Sequence, residues 1–201
     1  MISAAATGAA ATVLSCGVQP RQAWHAFSHR HSAKELDALS VSGAVIVLRI
    51  SLLWVAYGFS TGAYFAGVLA AVEGVCQIVI LAVLAYGVPR CRRDILMSIP
   101  LTVGLAPVLA FGSLSLTFMG ALASAASLFM FAFPAKEQWE HRHDDTIGYT
   151  WSATMLVLCA NVLWTVYGVL HQDVWLTVPS LVHVVLGVVI AGSKLVSAKA
   201  N

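Results

Sequence analysis

Long apolar runs alternate with short polar breaks along the whole 201-residue chain. The runs fall at about 2–19, 39–59, 63–86, 95–111, 116–133, 149–170 and 174–195. A helix needs about 20 mainly apolar residues to cross the ~30 Å hydrocarbon layer of a bilayer. Inside that layer every backbone N–H and C=O must be satisfied within the segment, which favours helices. The pattern therefore predicts an all-α membrane protein with seven transmembrane helices. Hydropathy alone would let the fourth and fifth runs merge; Gly112-Ser113 divides them.

The division is supported by a repeat. Trp54-Val55-Ala56-Tyr57-Gly58 returns 110 residues later as Trp164-Thr165-Val166-Tyr167-Gly168. Upstream of the first copy stand Pro20 and His29-Arg30-His31, and upstream of the second stand Pro134 and His141-Arg142-His143. Self-similarity on this scale means two copies of one supersecondary unit. We read residues 1–87 and 116–201 as two parallel three-helix repeats joined by a linker helix in 88–115, a 3+1+3 order.

Composition agrees with the pattern and removes several function classes. The chain is 59% hydrophobic and 10% charged, with a mean hydropathy of +0.84. Its net charge of +2 gives no ground for binding nucleic acid. Four scattered cysteines without CxxC spacing imply neither a disulfide framework nor a zinc site. The first run has no Lys or Arg before it, so it reads as a structural helix and not as a cleaved leader. Lys and Arg fall in alternate loops, with Arg49 the one basic residue out of place. By the positive-inside rule the N-terminus is outside and the C-terminus cytoplasmic. The chain lacks the serine-hydrolase, zinc-protease and phosphate-loop motifs. We expect no enzyme activity, no cofactor and no metal, and read the His-Arg-His segments as solvated loops. The expected partners are a small-molecule solute and membrane lipid; self-association stays open.

Two three-helix units, each with a Pro ending its first helix and Trp-x-x-Tyr-Gly ending its second, resemble the SWEET sugar transporters. These share the PQ-loop group with the single-repeat SemiSWEETs and have parallel repeats. The resemblance covers nearly the whole chain. It implies alternating access for a small polar solute, with a mono- or disaccharide the first expectation. By resemblance Trp54 and Trp164 lie beside the substrate. The family's sugar-bonding Asn, sixteen residues after that Trp, is replaced here by Ala70 and Ser180. Tyr57 and Tyr167 match outer-gate tyrosines whose acid partner, six residues on, is Asp173 in the second repeat and Ala63 in the first. Pro20 and Pro134 match the hinge prolines. KDEL receptors also resemble this fold, so a peptide receptor or a membrane scaffold subunit stands as an alternative.

Polar residues inside the spans narrow the candidates. Charges at mid-membrane are costly and usually functional or paired. Arg49 lies twelve residues before the turn at Thr61 and Glu73 twelve after it, so a helical hairpin puts them at one depth. We expect an ion pair there. Glu73 and His183 each follow their Trp by nineteen residues, and His183 with Glu73 offers an alternative, proton-coupled export of an amino acid or similar metabolite. Asn161 and Ser180 complete the polar candidates of the second repeat.

Overall fold

A computed structural model describes residues 3–17, 19–32, 36, 39–111, 115–140 and 151–198. Among these every regular element is helical. The elements are α1 (Ala4–Ser15), α2 (Gln19–Ser28), α3 (Val41–Thr61), α4 (Tyr64–Gly87), α5 (Pro89–Phe111), α6 (Leu116–Glu140), α7 (Trp151–Leu170) and α8 (Val174–Ala198). The seven expected runs correspond to α1 and α3 to α8. Val41–Thr61, Tyr64–Gly87 and Val174–Gly192 are each long and apolar enough to cross a membrane alone; Leu116–Phe129 and Met155–Leu170 are shorter apolar stretches. Large aliphatic side chains such as Val75 and Ile78 on α4, Leu101 and Val103 on α5, and Val185 and Val188 on α8 are exposed. Such rows would be a liability in water and are the ordinary exterior of a helix in lipid.

Packing divides the chain into two compact units, Met1–Ser15 with Gly120–Asn201, and Cys16–Met119. In the second of these, α3 and α4 form a hairpin, α2 lies on α4, and α5 packs on both hairpin helices. Its core gathers Ala23 and Ala26 of α2, Ala44 and Val45 of α3, and Ile80, Leu81 and Leu84 of α4. In the other unit α7 and α8 form the hairpin and α1 packs on α7. The Ser124 hydroxyl of α6 donates to the Trp175 carbonyl of α8 at 2.5 Å. Packing unit and sequence repeat are thus different divisions of the chain.

The two hairpins fold in the same way. Gly62 takes a left-handed φ of 80° after α3, and Gln172 takes φ 57° at the corresponding place after α7. From these turns the helices run antiparallel with backbones in close approach. A Cβ on Gly58 would stand 2.6 Å from the Gly67 nitrogen, and one on Gly168 would stand 2.9 Å from the Thr177 nitrogen. The glycine that closes each Trp-x-x-Tyr-Gly copy is therefore what allows the hairpin to close, as small residues do between membrane helices.

Three local expectations change. Residues 19–28 form a helix where a loop was expected. Pro20 sits in the first turn of α2, where its missing N–H takes nothing from the helix. Helix α5 begins at Pro89, so Arg90, Arg92 and Arg93 lie in its opening turns instead of a loop. Pro134 does not end α6, which runs on to Glu140. The second His-Arg-His segment lies outside the described residues.

Candidate functional site

The repeated motif builds the same aromatic pair twice. Trp54 and Tyr57, one turn apart on α3, meet edge to face with centroids 5.7 Å apart and planes at 81°. Trp164 and Tyr167 on α7 do the same at 5.6 Å and 79°. Spacing of three places both rings on one helix face, and the edge-to-face arrangement is the one favoured by the ring quadrupoles. Trp54 is half-buried and Trp164 is buried. The Trp164 indole N–H donates to Ser15 Oγ of α1 at 3.0 Å. Sequence reasoning named Trp164 and missed Ser15; nothing in the local pattern links residues so far apart.

The tyrosines sit just inside the turns. Tyr57 and Tyr167 are buried, and Tyr167 also lies 5.5 Å from the His171 ring. Asp173 Oδ1 accepts from the backbone N–H groups of Trp175 at 3.0 Å and Leu176 at 3.2 Å. It thereby caps the start of α8, as an aspartate at this position commonly does. Ala63, its counterpart, leaves α4 without a side-chain cap. Pro20 is half-buried at the start of α2. Of Pro134 only the helical backbone is described.

Arg49 does not find Glu73. Its Nε donates to Thr102 Oγ1 at 3.2 Å and its Nη2 to the Ser98 carbonyl at 3.3 Å, both on α5. No ion pair joins Arg49 to Glu73 among the described residues. The reason is azimuth. Leu48 and Ser51 face Gly74 across the hairpin seam. Arg49 is turned ~100° from Leu48 about the α3 axis and so points away from that seam, toward α5. Glu73 is half-buried and lies within electrostatic reach of Cys16 and Cys76.

In the second repeat the polar residues do come together. His183 Nδ1 and Asn161 Oδ1 are 3.2 Å apart, and Asn161 Nδ2 donates to the Val157 carbonyl at 2.8 Å. With that nitrogen on a carbonyl, the Asn161 oxygen faces His183, and the contact is a hydrogen bond in the tautomer whose Nδ1 carries the proton. Ser180, one turn from His183 on α8, donates its hydroxyl to the Leu176 carbonyl at 2.9 Å. Ala70, its counterpart, is buried. Among the described residues no cluster of His, Cys, Asp and Glu is placed to hold a metal.

Three described helices long and apolar enough to cross a membrane, in an all-helical chain with two alike hairpins, define an integral membrane protein of tandem-repeat architecture. The chain resembles the SWEET family in sequence and has the fold of one of its solved members. It is 26% identical over 173 residues to proteins named bidirectional sugar transporter SWEET15 from Oryza sativa subsp. indica and subsp. japonica. Those alignments cover 81% of this chain and 54% of each relative, so the chain spans about half the length of the curated relatives it matches. The structure of a eukaryotic SWEET transporter superposes with a TM-score of 0.84 at 16% identity, covering 98% of this chain and 97% of that one. No family model matches the sequence.

Proposed function

We propose that this chain moves a mono- or disaccharide across a membrane by alternating access, as facilitated diffusion. The observation that carries the reading is the Trp–Tyr edge pair, repeated at 5.7 and 5.6 Å in a chain of SWEET fold. An indole face suits the apolar face of a sugar ring, and its edge is polar enough to sit beside hydroxyls. In this reading Trp54 and Trp164 lie beside the solute. Tyr57, Tyr167 and Asp173 belong to the outer gate, and Pro20 and Pro134 to the hinges. The N-terminus is outside and the C-terminus cytoplasmic. The repeats 1–87 and 116–201 are the moving parts, with 88–115 as linker.

The test is uptake of labelled glucose and sucrose by proteoliposomes, with and without an imposed pH gradient. Facilitated diffusion gives saturable uptake that stops at equilibrium and is indifferent to the gradient. Accumulation driven by the gradient would favour proton coupling, with Glu73 and His183 as its candidates. Correctly inserted protein that carries no sugar would overturn the reading and leave the receptor or scaffold alternative.

A further inference from the structure

The positions where the resemblance places sugar-bonding amides hold Ala70 and Ser180. Ala70 offers no side-chain hydrogen bond, and the Ser180 hydroxyl hydrogen is directed to the Leu176 carbonyl. A sugar needs directed donors and acceptors, because unmatched polar groups in a desolvated site weaken binding strongly. The second repeat holds an amide elsewhere, on α7 in place of α8. Asn161 lies one turn from Trp164 on the same helix and remains part-exposed. An amide has four hydrogen-bonding valences, two N–H donors and two lone pairs. One N–H goes to the Val157 carbonyl and one lone pair to His183 Nδ1–H. One donor and one acceptor remain, which is the pair that a sugar hydroxyl, itself donor and acceptor, can engage.

The corresponding place in the first repeat is different. Ser51 and Glu73 stand at the same offsets from Trp54 as Asn161 and His183 from Trp164. Ser51 is only 2% exposed and packs toward Gly74 in the hairpin seam. Its hydroxyl is sealed away, so the first repeat supplies no equivalent.

We infer that Asn161 is the sugar-contacting amide of this protein and that His183 is its positioning residue, holding the amide in one orientation. The inference rests on the sugar-transport reading above. With the indole N–H of Trp164 already directed to Ser15, Asn161 supplies the directed bond to the sugar.

Deoxyglucose analogues lacking one hydroxyl at a time provide the test, in liposomes carrying wild type, Asn161→Ala, His183→Leu or His183→Gln. Asn161→Ala should raise KM for glucose about tenfold, the equivalent of ~1.4 kcal/mol, with Vmax little changed. One deoxy analogue should show the same penalty with wild type and no further penalty with Asn161→Ala. His183→Leu should blunt the discrimination among analogues, and His183→Gln, which can still donate to Asn161, should restore it. If wild type carries glucose but Asn161→Ala keeps its KM and its full discrimination among analogues, the inference fails while the transport reading stands. If wild type carries no sugar, the transport reading itself fails. Should Asn161→Ala not assemble, Asn161→Ser is judged by the same analogue series.

Discussion

The indole N–H of Trp164 donates to Ser15 Oγ at 3.0 Å, joining residues 149 positions apart. The bond ties α1 to the hairpin helix that carries the second aromatic pair. A neutral hydrogen bond of this kind contributes about 1 kcal/mol net. Ser15→Ala and Trp164→Phe should each lower the detergent melting temperature modestly, and the double variant should lose no more than the larger single effect. Trp164→Ala should fold yet lose sugar uptake; full uptake by that variant would make the ring a packing element only.

Closure of the hairpins gives a second prediction. A methyl group at Gly58 or Gly168 would stand against facing backbone, at 2.6 Å from Gly67 N and 2.9 Å from Thr177 N, and backbone cannot rotate away. Gly58→Ala and Gly168→Ala should each destabilise strongly, by roughly 1–3 kcal/mol or more for forced overpacking. Gly67→Ala should be milder, because its new methyl would meet the Phe59 ring, which can shift. At Gly62, with open space around it, the penalty comes from φ alone. Gly62→Asn should be tolerated better than Gly62→Val, since Asn accepts the left-handed region and branched residues do not. Melting temperatures of the set in one detergent decide the order.

The Arg49 contacts give a third. A double-mutant cycle between Arg49→Leu and Thr102→Val should show a coupling of about 1 kcal/mol or more, as for hydrogen bonds from a charged donor. The cycle between Arg49→Leu and Glu73→Gln should show almost none. A large coupling in the second cycle would restore the ion pair expected from depth.

Asp173 offers a fourth. Asp173→Ala should cost about 1 kcal/mol through loss of the α8 cap. Asp173→Asn keeps a capping side chain, so it should fold normally; altered uptake in that variant would isolate a gating role for the carboxylate.

Much of this architecture is legible in the sequence because lipid imposes a simple rule on apolar runs, and the repeat fixes where to cut them. Legibility stops at the direction a side chain faces. Counting from the turn pairs Arg49 with Glu73 at twelve residues and, equally well, Asn161 with His183 at eleven from Gln172. Only the second pair forms, because depth along a hairpin is set by the count whereas facing direction is set by which residues line the seam. Leu158 meets the place where a Gly187 side chain would begin, and Gly168 meets Thr177, so Asn161 lies on the seam side between them. Arg49 lies beside its seam and not in it. The helix at 19–28 was hidden for another reason: its polar residues and early Pro20 read as a break, although its alanines pack on α4.

The seating of α1 on α7 also constrains how the protein is made. Helix α1 leaves the ribosome well before its packing partner α7, so a contact between segments so far apart in sequence must form late. At typical elongation rates of ~5–20 residues per second, α1 waits roughly seven to thirty seconds before α7 is available. During that interval a 12-residue, alanine-rich helix must be held by insertion machinery or by transient neighbours. Biogenesis of this chain is therefore a problem of timing as well as of hydrophobicity, and expression of residues 1–115 and 116–201 as two co-translated fragments would relieve it.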